Sequence, residues 1–166
     1  ADLMVTRHYT QKDYPFILTN GVQASYVEVA PETGFVNLLK HWAVEDCGRV
    51  INPMLVNEQV RGAIVQGIGG VLFEECLYDD SGLLRNGSMA DYLVPMANEM
   101  PDIEVAHVET PTQSSKLGAK GAGEAGTAGA PGAVQNAIND ALAPFNATVF
   151  DQPITSEKIL RALKKI

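Results

Sequence analysis

Apolar and polar residues alternate over Ala24-Ser25-Tyr26-Val27-Glu28-Val29, and the pattern resumes from Phe35 to Val44 after Pro31-Glu32-Thr33-Gly34. A period of two sends successive side chains to opposite faces, so these runs predict two strands of a hairpin with Pro31–Gly34 as its turn. Asp46-Cys47-Gly48 closes the second strand. At Asn52-Pro53 the period becomes helical, with Val56, Val60, Ala63, Ile64, Gly67, Ile68, Val71 and Leu72 on repeating positions. Asn52 suits the N-cap and Pro53 the first helical position, where a missing N–H costs nothing; the predicted helix runs to about Leu77. Residues 78–101 are irregular. Ile103 to Glu109 alternates again and predicts a strand. Ala133, Val134, Ala137, Ile138 and Ala141 share one face of a helix predicted from about Pro131 to Leu142, and residues 155–166 predict a short capped helix with Ile159, Leu160 and Leu163 inward. Residues 1–20 follow neither period and read as an extended lead-in segment. Strands and helices are grouped rather than strictly alternating, which points to the α+β class, a mixed sheet with packed helices.

Composition narrows this to one globular domain over residues 1–166: the chain is 46% hydrophobic and only 19% charged. A net charge of −8 argues against nucleic acid or an anionic membrane as partner, because phosphate binding needs a basic face. No apolar run has transmembrane length, and no signal peptide is seen. Two cysteines, Cys47 and Cys76, and three scattered histidines make neither a disulfide framework nor a metal site. Both cysteines sit on apolar stretches and are expected to be buried reduced thiols, which fits a cytoplasmic location. The chain opens without Met, as expected of a fragment or a processed chain.

Two stretches are unusual. Gly62, Gly67, Gly69 and Gly70 fall inside the predicted helix, where each glycine costs about 1 kcal/mol against alanine. Such a cluster predicts something large packed close to this backbone, another helix or a cofactor. Between Gly118 and Gly132 almost no side-chain bulk occurs, and only Lys120 and Glu124 are ionisable. A glycine-rich loop before a helix lets backbone amides approach a ligand closely and aims the positive end of the helix dipole at it. A lone carboxylate held there in low dielectric would have its pKa raised toward the range of a general base. The residues alone leave a flexible surface loop with an incidental glutamate equally open. Gly121-Ala122-Gly123-Glu124-Ala125-Gly126 fits G-x-G-x-x-G, but no hydrophobic strand runs into it and a glutamate in the turn would repel a pyrophosphate, so a dinucleotide site is disfavoured.

Gly118-x-Lys120-Gly121-x-Gly123-Glu124-x-Gly126 resembles the G-x-K-G-x-G-E-x-G loop of the xanthine dehydrogenase / aldehyde oxidase / carbon monoxide dehydrogenase family. Asp46-x-Gly48-x-x-x-Asn52-Pro53, followed by Gln59-Val60-x-Gly62-x-x-x-Gln66-Gly67-Ile68-Gly69, resembles the last domain of that family's molybdenum subunit. So does Tyr26-Val27-Glu28-Val29 with its Pro31–Gly34 turn. Three motifs in this order cover roughly residues 21 to 142, and the Ala-Gly after the glutamate is nearest the bacterial members.

The resemblance implies the C-terminal part of a large subunit, within its second molybdenum-cofactor-binding domain. It implies oxidative hydroxylation of an aldehyde, an N-heterocycle or carbon monoxide with water-derived oxygen. Glu124 would be the catalytic base; Gln66 and the backbone of Lys120, Gly121, Ala122 and Gly123 would contact a molybdenum–pterin cofactor in its cytosine dinucleotide form. Asp46 and Asn52 are expected to be structural. The implied partners are the remainder of the subunit, iron–sulfur clusters and FAD on other domains or subunits, and a small-molecule substrate. A full family subunit is several times longer, so the isolated segment is expected to be inactive, and its exposed glycine-rich helix would favour self-association as a homo-oligomer. The competing expectation is a cofactor- or anion-binding assembly module without activity of its own.

Overall fold

A computed structural model describes residues 3–9 and 16–166. The rest of the predicted lead-in segment, residues 1, 2 and 10–15, lies outside the described residues. The hairpin forms as the alternation requires: β1 (Asn20–Ala30) pairs antiparallel with β2 (Phe35–Asp46). β2 then pairs parallel with β3 (Ile103–His107), giving a mixed sheet in the order β1-β2-β3. A parallel neighbour needs a crossover connection, and α1 (Pro53–Leu72) lies within it.

The hairpin carries one irregularity with consequences. Tyr26 pairs with Lys40 but Val27 pairs with Leu38, so Leu39 is an extra residue, a β-bulge. The inward set on β2 therefore changes phase, from Leu38 to His41, Ala43 and Glu45.

Asn52 caps α1 as expected, its Oδ1 accepting from Leu55 N at 3.3 Å, with Pro53 in the first turn. The helix ends at Leu72, five residues before the expected Leu77. There the amides of Phe73 and Glu74 both donate to the Gly69 carbonyl, at 2.9 and 2.8 Å. The Glu74 carboxylate then folds back into the space a Gly69 side chain would fill, and the Tyr92 hydroxyl donates to it at 2.7 Å.

α2 (Ala125–Leu142) starts six residues before the expected Pro131 and contains that proline. Proline in a helix interior removes the bond to the carbonyl four residues back, here that of Thr127. That carbonyl and the Pro131 ring face Gly67 of α1, whose missing Cβ would lie 2.9 Å from Thr127 O and 2.9 Å from the Ala130 Cβ. The close neighbour predicted for the glycine cluster is thus α2 at Gly67, and Glu74 with Pro95 at Gly69, whereas Gly62 and Gly70 face open space.

The core lies between the sheet and this helix pair. Val60, Ile64, Ile68 and Val71 of α1 meet Val134, Ile138 and Leu142 of α2, with Val27, Leu38 and Ala43 beneath them, all buried. Each of these Val, Leu and Ile side chains contributes about 1.5–3 kcal/mol on burial. The short α3 (Ser156–Ala162), capped by Thr155, adds Ile159. Cys47 is buried as expected, but Cys76 is exposed, because the helix expected to carry it inward has already ended. No helix among the described residues is long and apolar enough to cross a membrane.

Candidate functional site

The glycine-rich stretch is built in two parts. Residues 118–120 are tied to the end of β2: Lys120 N donates to Cys47 O at 2.7 Å and Arg49 N to Gly118 O at 3.1 Å. Both Gly48 and Gly118 have positive φ, 68° and 74°, which a side chain would resist. The Lys120 ammonium is engaged with Asp46 Oδ2 at 3.0 Å. Asp46 Oδ1 accepts from the amides of Gly48 and Thr110 at 2.9 and 3.1 Å. Hydrogen bonding from the Thr110 hydroxyl, then from the two amides and Lys120, holds the Asp46 carboxyl well below the usual carboxylate range against the opposing effect of burial. Asp46 thus serves as an anchor.

The second part, Gly121 to Glu124, leads into α2. Gly121 N donates to Ile17 O at 3.2 Å, and Gln59 Nε2 of α1 donates to Gly123 O at 2.7 Å. Among the described residues, the amides of Ala122, Gly123 and Glu124 donate to no protein acceptor. Glu124 occupies the N-cap position of α2, but its carboxylate makes no capping bond and is exposed. The enclosure expected from the sequence is not supplied by this segment.

Glu124 nevertheless faces a cavity of about 270 Å³, with Thr19, Asn20, Gly21, Gln23, Glu45, Ala125, Ala128 and Gly129 as its other walls. The walls are therefore β1, the end of β2 and the first turns of α2. Gln66 and Lys120–Gly123 are not among them; Gln66 is exposed on α1, between the open Gly62 and Gly70 at helical spacing.

Sequence reasoning missed a part-buried polar cluster that starts at this cavity's wall and runs behind it. Gln23 Nε2 donates to Gly126 O at 2.9 Å and to Glu45 Oε1 at 3.1 Å. Gln23 Oε1 lies 3.1 Å from His41 Nε2, and His41 Nδ1 lies 2.8 Å from Ser25 Oγ. Because the Gln23 oxygen can only accept, His41 carries its proton on Nε2 and accepts from the Ser25 hydroxyl at Nδ1. Burial pushes the His41 pKa down to about 4, so the ring is neutral. Burial also raises the Glu45 carboxyl, opposed by the hydrogen bond from Gln23. The available signal was the alternation itself: Gln23 and Ser25 fall in phase with buried Val27, but the bulge at Leu39 hid the matching phase of His41 and Glu45.

Among the described residues no group of three or more His, Cys, Asp or Glu side chains could hold a metal ion. The free amides at 122–124 and the exposed Gln66 carboxamide fit the hydrogen-bonding groups of a large organic cofactor, and Gly62 and Gly70 leave space for close approach to α1.

A family profile for the "Molybdopterin cofactor-binding domain" matches residues 1–101. The chain is 47% identical over 150 residues to the nicotine 6-hydroxylase large subunit of Paenarthrobacter nicotinovorans, a match covering 90% of this chain and 18% of that subunit. It is 32% identical over 152 residues to the carbon monoxide dehydrogenase large chain of Hydrogenophaga pseudoflava, covering 92% and 18%. Its fold matches the crystal structure of quinoline 2-oxidoreductase from Pseudomonas putida 86 with a TM-score of 0.80 and 44% identity, over 84% of this chain and 18% of that one. The chain thus spans about 18% of the length of these relatives.

Proposed function

The chain belongs to the molybdopterin cofactor-binding domain family of molybdenum oxidoreductase large subunits, and from this we propose that the complete protein is the catalytic subunit of a molybdenum hydroxylase. It inserts water-derived oxygen into an aldehyde, an N-heterocycle or carbon monoxide. The nicotine and quinoline enzymes, at 47% and 44% identity, carry N-heterocycles in their names, which favours that substrate class. The observation that carries the reading is the Glu124 carboxylate. It is unspent on capping at the start of α2, in a residue that lines a cavity and adjoins free amides.

The bound molybdenum–pterin group, in its cytosine dinucleotide form, supplies the two-electron chemistry. Gln66 offers a donor and an acceptor to the pterin edge. The backbone from Lys120 to Gly123 would hold the cofactor, with the amides of Ala122 and Gly123 as donors. Lys120 itself contributes through its backbone, since its ammonium is held by Asp46. Glu124, as general base, takes the proton from the attacking oxygen; proton transfer by a positioned carboxylate is worth about 10²–10⁴-fold. Iron–sulfur clusters and FAD on other domains or subunits would take up the electrons. Turnover of the complete complex with an N-heterocycle in ¹⁸O-water tests this. Label in the hydroxylated product is expected; an unlabelled product would contradict the reading.

A further inference from the structure

We propose that Gln23 is a positioning residue for Glu124: its carboxamide locks the first turn of α2 onto β1 and so sets where the Glu124 carboxylate stands. The inference rests on Glu124 acting as the base.

Both N–H groups of the Gln23 amide are committed, one to Gly126 O in the first turn of α2 and one to Glu45 Oε1. Its oxygen accepts from His41, whose orientation is fixed in turn by Ser25. An amide held at three points, by His41 and Glu45 of β2 and Gly126 of α2, has no free rotation left. Gly126, the residue it grips, lies two positions after Glu124, so the grip acts on the turn that begins with the carboxylate.

Glycines make room for this arrangement from both sides. A Cβ on Gly129 of α2 would come within 2.9 Å of Gln23 Cδ, and a Cβ on Gly21 of β1 would overlap the Glu45 carboxylate. Gly126 lies so close to α1 that its Cβ would overlap Val60 O, so the turn is fixed from behind as well. These residues line or adjoin the cavity that Glu124 faces. Such a base benefits from rigid placement, since a displacement of about 1 Å can cost about 10²-fold in rate.

The test uses the complete molybdenum-loaded complex with Gln23→Met, which keeps the bulk and removes the hydrogen bonds. A second variant, Gly129→Ala, favours the helix but pushes the carboxamide aside, so it keeps the test open should Gln23→Met fail to fold. Amide exchange over residues 124–130, molybdenum content, kcat and KM are measured for each. The expected result is exchange faster by about tenfold or more in the α2 first turn, and kcat lower by about 10–10²-fold. KM and molybdenum content stay at the wild-type values. Wild-type exchange or wild-type kcat would overturn the proposal, as would a kcat loss accounted for by lost molybdenum. An active Glu124→Gln complex would instead remove the base assignment, and the exchange comparison would still report on the clamp.

Discussion

Lys120 Nζ lies 3.0 Å from Asp46 Oδ2, with both side chains nearly nine-tenths buried, and this pair joins the glycine-rich loop to the end of β2. The folded Asp46 carboxyl is held below its unfolded value, which is about 3.9. The stabilisation is therefore fully present above that value and is lost as pH falls toward the depressed folded one. Thermal melting of the complete subunit at a series of acid pH values should show Asp46→Asn lowering the melting temperature at neutral pH and flattening its acid decline. Lys120→Met, which leaves the carboxylate without its cation, should also lower it at neutral pH. An unchanged acid slope in Asp46→Asn would show that the partners of Asp46 do not hold its carboxyl below the unfolded value.

The crossing of α1 and α2 depends on Gly126, where a Cβ would overlap the Val60 carbonyl. Alanine gains about 1 kcal/mol in helix propensity at such a site. Forcing backbone apart costs about 1–3 kcal/mol, so the net effect of Gly126→Ala should be destabilising. Ile138→Ala, in the same helix, removes a wholly buried side chain and should cost about 2–5 kcal/mol. Denaturant unfolding checks both, and a stabilised Gly126→Ala protein would contradict the close crossing.

Much of this architecture could be read from the chain. The hairpin, its Pro31–Gly34 turn, the Asn52-Pro53 helix start and the Thr155 cap follow from local chemistry, and each stands where the sequence puts it. What could not be read depended on contacts between distant segments. α1 stops at Leu72 where Glu74 folds back on Gly69, and α2 runs through Pro131 where Gly67 of α1 leaves room for the Thr127 carbonyl and the proline ring. The base candidate was visible as a lone carboxylate among glycines, but the cluster of Ser25, His41, Gln23 and Glu45 was not. A single bulged residue, Leu39, broke the alternation that would have placed those polar groups inward together.

Gln66 lies exposed between two open glycines on α1, a placement that suits contact with something outside this segment. Gln66→Ala in the complete complex should lower molybdenum content and the cytosine nucleotide released by acid hydrolysis in equal proportion. The kcat per bound molybdenum should change little. Full cofactor occupancy would remove Gln66 from the cofactor's surroundings, and release of a different nucleotide would overturn the cytosine form.

Proton transfer by Glu124 is the step on which the proposed activity depends. Turnover and molybdenum content of the complete Glu124→Gln complex measure this together, since glutamine keeps the shape and loses the basic oxygen. The account predicts wild-type molybdenum with turnover lower by about 10²–10⁴-fold; turnover near that of the wild type would contradict it.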